Sequence, residues 1–522
     1  MKLNYPCPHC GRSAEIQSEI TFGGNIAYVY MCGHLDTKPK LKLTLEEPVE
    51  NLTTLGSNGS HFRSVDGLKE CYEFQKAGVK FIEDHELSGL IADAMGLGKT
   101  IQACSIVRRN YHLMSPTLII VKSALMFQWV REFQSWTTNK PLGIMPIINR
   151  SNLFPGFENY IISMDLLGRK GIVEALVKLG FKSIIVDECH SFKDESSLRT
   201  RALITLIKAL GNPKIILLSG TPIKNRADEY FVPLNLLAPQ HFSSKARFQK
   251  NWLMADEKGR YSRILPYRLN AFRELISNWV IRREKHDVLT NLPPFKMDYA
   301  FVEIEDDAIK NSYNNQLKLF DNFLNNTAKI TSQDILGWLA KLRAITGQAK
   351  CQPALDWAVE FLDSTDENLA IGIQHRAVRD TLYYIFEGGG YQPLKFSGED
   401  NQYRKDEVIR RFDAGERRLL IINEIAGGLG LNLQCCANFL ILEQQWNEAD
   451  IEQFCGRFHR DGQKKAVNGT EMLVRGTIDE FFYDLRMKKR QIFGEAVQGW
   501  SFSEDFESMR ALCNRIIENK LT

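Results

Sequence analysis

Short apolar runs, TLIIV (117–121), SIIVD (183–187), KIILLS (214–219), LAIGI (369–373), RLLII (418–422) and FLILE (439–443), alternate along the chain with longer amphipathic segments. Runs of that length, rich in Ile, Leu and Val and apolar throughout, suit strands buried on both faces. Amphipathic segments between them suit the helices that cross from one parallel strand to the next. The rhythm predicts an α/β protein with parallel sheets. It occurs in two blocks, Ser64 to Asp287 and Lys350 to Gly494, so two lobes are expected. Between them, within 288–349, the stretch Asp306 to Ala344 is polar, helix-prone and free of strand runs; it reads as a linker with a helical insertion. Residues 43–63, with EEP, NLTTL and GSNGS, read as a tether that separates a Cys/His-rich head at 1–42 from the rest. Residues 495–522 read as a C-terminal helical extension.

At 522 residues the chain exceeds what one ordinary core supports. No run of about 18 apolar residues could span a bilayer, and the N-terminus MKLNYPCPHC has no apolar core of a secretory signal. Eleven cysteines, scattered among apolar segments, fit a reducing compartment. An intracellular location, cytoplasmic or nucleoid, is expected, with a bacterial or viral source. The net charge of +3 does not announce a nucleic-acid binder, although a local basic groove would vanish in that sum.

The stretch IADAMGLGKT (91–100) has the order strand, loop, helix that a phosphate-binding loop needs, with Asp93 where the first glycine usually stands. Gly96 and Gly98 let backbone N–H groups turn toward phosphate oxygens, Lys99 neutralises them, and the Thr100 hydroxyl suits Mg²⁺. In IIVDECH (184–190), Asp187 at a strand end suits the same Mg²⁺, and Glu188 suits the orientation and deprotonation of a water.

DAMGLGKT, DECH and LSGTPIKNR (218–226) resemble, in order and context, the signature blocks of the Swi/Snf-type ATPases of helicase superfamily two, whose phosphate loop normally begins with Asp. The resemblance extends over most of the chain, through YEFQKAGVKF (72–81), VIRREKHDVLTNLPPF (280–295), KFSGEDNQYRKDEVIRRF (395–412), INEIAGGLGLNL (422–433) and WNEADIEQFCGRFHRDGQ (446–463). RAITGQAK (343–350) leans toward the compact, annealing-helicase-like branch. The departures are local: Ala94 for a common Glu, Cys189 for a small residue, Glu448 for proline and Asp461 for an apolar residue.

The resemblance implies two RecA-like lobes that hydrolyse ATP between them. Its nucleotide-binding set is Gln75, which would read adenine, with Asp93, Met95, Gly96, Leu97, Gly98, Lys99, Thr100 and Gly430. The catalytic set is Lys99, Asp187, Glu188, Gln453, Arg457 and Arg460. The last three are spaced to share one face of a helix running from Asp450 to Arg460, from which two guanidiniums could reach a γ-phosphate. The partner expected is the duplex DNA backbone, gripped by Lys122, Ser123, Gln128, Trp129, His375, Arg376, Ser397, Gly398 and Asn432.

In the head, Cys7, Cys10, Cys32 and His34 offer three thiolates and an imidazole to a tetrahedral Zn²⁺, with His9 as a competing ligand. Such a closed site suits a zinc ribbon that docks a protein or DNA. The function expected is an ATP-dependent, double-stranded DNA translocase, acting as a monomer. A strand-separating DNA or RNA helicase and an ATP-driven protein remodeller are the alternatives. No aromatic-rich insertion is evident in the sequence to act as a strand-splitting wedge.

Overall fold

The computed structural model describes residues 71–494, apart from 136–142, 151–152, 154, 221–226, 256–260, 328–329, 401, 424–430 and 444–447, together with four strands within 1–42. Those four, β1 (Tyr5–Pro6), β2 (Ser13–Phe22), β3 (Asn25–Met31) and β4 (Lys40–Lys42), form an antiparallel sheet in chain order. Cys7, Cys10, Cys32 and His34 lie outside the described residues, as do Gly430 and the extension 495–522.

The chain divides into two compact units at Thr290/Asn291. In the first unit the strands are β5 (Gly89–Ile91), β6 (Thr117–Val121), β7 (Ile144–Ile147), β8 (Asn159–Ser163), β9 (Ser183–Val186), β10 (Lys214–Leu218), the hairpin β11 (Leu253–Ala255) and β12 (Tyr261–Ile264), and β13 (Val280–Ile281). Seven of them make one parallel sheet in the order β13-β5-β10-β9-β6-β8-β7, while β11 and β12 form a separate antiparallel pair. The central strands are buried at every position, as the continuous apolar runs require.

The second unit has β14 (Phe295–Val302), β15 (Leu369–Ile373), β16 (Leu394–Phe396), β17 (Leu419–Asn423), β18 (Asn438–Ile441) and β19 (Val467–Val474), again all parallel, in the order β14-β19-β18-β15-β17-β16. Strand β14 lies in the stretch read from sequence as linker, yet it pairs with β19 along all eight of its residues. Its mixed sequence FKMDYAFV hid it, because it is an edge strand and is not buried like the central ones. The helical insertion is a pair, Asp307–Asn326 and Ser332–Ala349. Tyr313, Leu317 and Phe320 pack there against Ile335, Leu339 and Leu342, and against Ile478 and Phe482 of the helix Ile478–Gly494. The insertion therefore has its own apolar core with the chain's late helix. Among the described residues no helix is long and apolar enough to cross a membrane.

Candidate nucleotide site

The strand order brings β5, β10 and β9 side by side, so the segments leaving their carboxyl ends converge although they are far apart in sequence. That end of a parallel sheet is where α/β proteins hold ligands. The loop after β5 turns through Gly96 and Gly98, at φ +86° and +73°, and enters the helix Lys99–Arg109. Lys99 donates from Nζ to the carbonyls of Asp93 (2.8 Å) and Ala94 (3.3 Å), which curls the loop around its ammonium. Burial lowers the pKa of that ammonium, against the opposing pull of Glu188, Asp93 and Asp187. Leu97 is buried, Met95 half-buried, and Thr100 is part-exposed in the first helical turn.

Gly220, just past β10, closes on this loop. A Cβ there would lie 2.7 Å from Met95 Cγ and 3.4 Å from Lys99 Nζ, so only glycine permits the approach. The residues after it, 221–226, lie outside those described.

Asp93 opens the loop after β5. Its side chain is fully buried and is held by Arg283, which donates from Nε to Oδ1 (2.8 Å) and from Nη2 to Oδ2, and by Gln102 Nε2 (2.9 Å). Arg283 also donates to the Phe74 carbonyl and to Gln102 Oε1 (3.0 Å), and lies 5.4 Å from the Phe74 ring. Backbone bonds run beside this pair, with Ala92 N–H donating to Ile281 O (2.7 Å) and Ala94 N–H to Arg283 O (2.9 Å). Arg283 thus ties the phosphate loop to the segment that leaves the first unit. The sequence reading missed it; the available signal was that a buried Asp in place of glycine needs a cation. Gln75 is likewise committed. Its Nε2 donates to Leu97 O (3.2 Å) and its Oε1 accepts from Tyr72 N–H (3.1 Å), so it braces the loop in this structure.

The acid pair follows β9. Asp187 accepts from Trp129 Nε1 at Oδ2 (2.8 Å) and from the Glu188 N–H at Oδ1 (2.9 Å). Trp129, expected among the track contacts, is 2% exposed and serves Asp187 instead. Burial, and then the neighbouring Glu188 carboxylate, raise Asp187 to about 6. Glu188 occupies the left-handed region at φ +49°, uncommon for a residue with a side chain. Burial pushes its carboxyl up, but His190, Lys99 and Lys122 outweigh that and hold it at about 2. Its Oε2 is buried without a hydrogen bond and lies 3.2 Å from His190 Nδ1. His190 also shares a hydrogen bond with Ser219 Oγ (3.0 Å), which links the acid pair to the end of β10.

Among the described residues no group of three or more His, Cys, Asp or Glu side chains could hold a metal ion. This donor set suits Mg²⁺, which is commonly held by one or two carboxylates with substrate phosphates and waters.

In the second unit the expected helix Asp450–Arg460 is shorter: it runs Glu448–Cys455. Gln453 lies on it, while Arg457 and Arg460 follow in a turn closed by Phe458 N–H to Cys455 O (3.1 Å) and Gln463 N–H to Arg460 O (3.1 Å). Gly456 and the downstream Asp461-Gly462 pair disfavour helix here. Arg457 is 6% exposed, and its carbonyl accepts from Leu433 N–H (3.1 Å). Arg460 donates to Asn432 Oδ1, so one candidate track contact orients one catalytic candidate. Gln463 clamps the turn, donating to Cys436 O and Phe458 O (both 3.2 Å).

The remaining track candidates differ in availability. Lys122 and Gln128 are half-buried, and Ser123 and Gly398 are exposed. Ser397 is buried, its hydroxyl accepting from Arg379 Nη1 (2.8 Å). His375 pairs with Glu443, and Arg376 with Glu399 (2.8 Å) and Asp380 (3.6 Å).

Comparison with known proteins identifies two domains in the chain. The SNF2-related domain matches residues 74–351, and the helicase conserved C-terminal domain matches residues 357–462. The chain is 26% identical over 437 residues to the DNA annealing helicase and endonuclease ZRANB3 of Bos taurus, covering 82% of this chain and 40% of that protein. It is 24% identical over 453 residues to the uncharacterized ATP-dependent helicase YqhH of Bacillus subtilis, covering 80% of this chain and 78% of that one. The Sulfolobus solfataricus SWI2/SNF2 ATPase core in complex with dsDNA aligns at 20% identity with a TM-score of 0.41, over 84% of this chain and 95% of the other. With the first of these domains matched over more than half of its length, the chain belongs to the SNF2-related family.

Proposed function

We propose that the chain is an ATP hydrolase that drives translocation along duplex DNA, built on two RecA-like lobes. The observation that carries this reading is the convergence of Lys99, Asp187, Glu188 and Gly220 at the carboxyl ends of three adjacent parallel strands. The loop N–H groups and Lys99 bind the phosphates. Thr100 and Asp187 would hold Mg²⁺, which would supply positive charge against the phosphates. Trp129 fixes the Asp187 carboxylate by its indole N–H. A water attacks the γ-phosphorus, the bond to the bridging oxygen breaks to release ADP, and the water's proton passes to Glu188. Arg457 and Arg460 stabilise the developing charge from the second lobe, with Gln453 beside them. Gln75 reads adenine when its bond to Leu97 is exchanged for one to the base.

The relatives described as DNA annealing helicases support a DNA track. The chain spans 40% of the ZRANB3 length, so the annealing-helicase branch is proposed for the motor alone. The head is proposed to hold one Zn²⁺ through Cys7, Cys10, Cys32 and His34. Cys7 directly follows β1 and Cys32 directly follows β3, spacing that suits a β-ribbon.

The test is ATP turnover without polymer and with single-stranded DNA, duplex DNA or RNA. Stimulation by duplex, with displacement of a triplex-forming strand and no unwinding of a forked duplex, is expected. Efficient fork unwinding would replace the reading with that of a strand-separating helicase, and turnover indifferent to every polymer would remove the DNA track.

A further inference from the structure

Although the whole chain is nearly charge-balanced at +3, residues 245–255 and 261–273 carry six cations and no Asp or Glu, and the five residues between them are balanced. This segment is the helix Lys245–Trp252, the hairpin β11/β12 and the first five residues of the helix Leu269–Ile276, whose sixth residue is Glu274. One side of it is apolar and pinned down. Phe248, Leu253, Ile264 and Phe272 are buried, with Phe248 5.9 Å from Phe231 and Phe272 6.4 Å from Tyr230. Tyr230 and Phe231 belong to the segment that follows β10, on the side of the sheet that holds the nucleotide site.

The other side is cationic. Arg247 and Lys250 are exposed one turn apart, and Arg263 stands opposite Met254 on the face of the hairpin away from the buried Leu253 and Ile264 pair. Lys245 faces Asp228 (3.8 Å) and Glu195 (4.0 Å), so it is excluded from the surface considered. Tyr267 is 78% exposed, unusually high for a large aromatic. The Arg268 guanidinium lies 5.8 Å from its ring and 5.9 Å from that of Trp252, and is fixed by donation to Asn251 O (2.8 Å). A rigid base, flat rings and cations in one patch suit a polyanion that also offers flat faces.

We infer that Arg247, Lys250, Tyr267 and Arg268 form a nucleic-acid contact separate from the track contacts, the cations holding backbone phosphates and Tyr267 stacking on a base left unpaired beside a duplex. This inference rests on the reading of the chain as a DNA-acting ATPase.

The test measures binding of the full chain to labelled blunt duplex and to the same duplex with a single-stranded tail, by anisotropy across a salt series. Arg247→Gln/Lys250→Gln/Arg268→Gln should lower the slope of log K against log salt by about 2 to 3, since each phosphate that is no longer neutralised removes about 0.9 from it, and weaken both substrates at least tenfold at low salt. Tyr267→Ala should keep that slope and lose roughly tenfold on the tailed duplex alone, as expected for one stacked base. ATP turnover without DNA should be unchanged in both variants. Wild-type slope and affinity in the triple variant, or equal losses of Tyr267→Ala on both substrates, would overturn the inference. A wild-type protein that binds no DNA at any salt would instead remove the functional reading beneath it.

Discussion

Arg283→Met should damage the phosphate loop more than any change to a loop residue that touches only solvent. The Asp93 side chain is 0% exposed and that of Arg283 is 13% exposed, so this is a buried pair. Removing the guanidinium leaves the Asp93 carboxylate to the Gln102 Nε2 amide. Breaking a buried ion pair from one side costs about 3–5 kcal/mol, most of it from the stranded charge. Arg283→Met also releases the Phe74 carbonyl, and so loosens the helix that carries Gln75. Asp93→Asn/Arg283→Met removes both charges, and the introduced amide oxygen can still accept from Gln102, so the double variant should recover most of that loss. The assay is thermal or urea unfolding of the full chain, with affinity for a fluorescent ATP analogue measured alongside. A single variant destabilised by several kcal/mol, with nucleotide affinity at least tenfold weaker, and a double variant clearly better on both counts are expected. A double variant no better than Arg283→Met would refute the argument, because it would show that the stranded charge is not what hurts.

Lys99→Ala should weaken nucleotide binding, whereas Glu188→Gln should bind ATP and hydrolyse it slowly; nucleotide titration and turnover separate the two, and normal turnover in Glu188→Gln would end its assignment as base. Trp129→Phe keeps the ring but loses the donor to Asp187, so Mg²⁺ dependence of turnover should shift by roughly tenfold, about one hydrogen bond to a charged group, while DNA affinity holds. The reverse outcome would return Trp129 to the track. Arg457→Ala and Arg460→Ala should leave ATP affinity nearly intact and abolish most DNA-stimulated turnover, consistent with the roughly 10³–10⁵-fold effects of arginine fingers. Asp187 is raised from 3.8 to about 6, so the native state holds the extra proton in that window. Stability conferred by the protonated form is lost as pH rises through 6, and the ionised group then costs about 3 kcal/mol. Asp187→Asn should therefore raise the unfolding temperature of nucleotide-free protein at pH 7.5 and do little at pH 4.

The elements and loops that sequence made legible were those whose chemistry is local. Continuous apolar strands, paired glycines before a helix and acids at a strand end each carry their own signal, and each stands where expected. What stayed hidden was set by tertiary context. Strand β14 is legible only through its pairing with β19, and the helix carrying Gln453 stops at Cys455, where Gly456 and the turn bonds prevail over the four-and-three spacing of the arginines. Trp129 read as a track contact because it follows a strand end, but Asp187 lies 58 positions away in sequence and the indole N–H finds it only after β6 and β9 pair. Asp93 read as a phosphate-loop letter for the same reason: its partner, Arg283, is 190 residues distant.

These long-range partners share a logic. Two of the acids that the site buries are held by donors from other elements: Asp187 by Trp129, and Asp93 by Arg283 and Gln102. The second unit buries charge too, in Lys350 with Asp479 (2.6 Å) and Arg486 with Glu471 (2.6 Å), but these join the helices Ser332–Ala349 and Ile478–Gly494 to β19 and its exit. Replacing such a pair with apolar residues of similar volume is often neutral or stabilising. The Asp93 and Arg283 pair is not equivalent, because its backbone neighbours are the phosphate loop on one side and the last residues of the first unit on the other. Ala94 N–H donates to the Arg283 carbonyl (2.9 Å), so the loop and the segment that leads out of the unit are one backbone hydrogen bond apart.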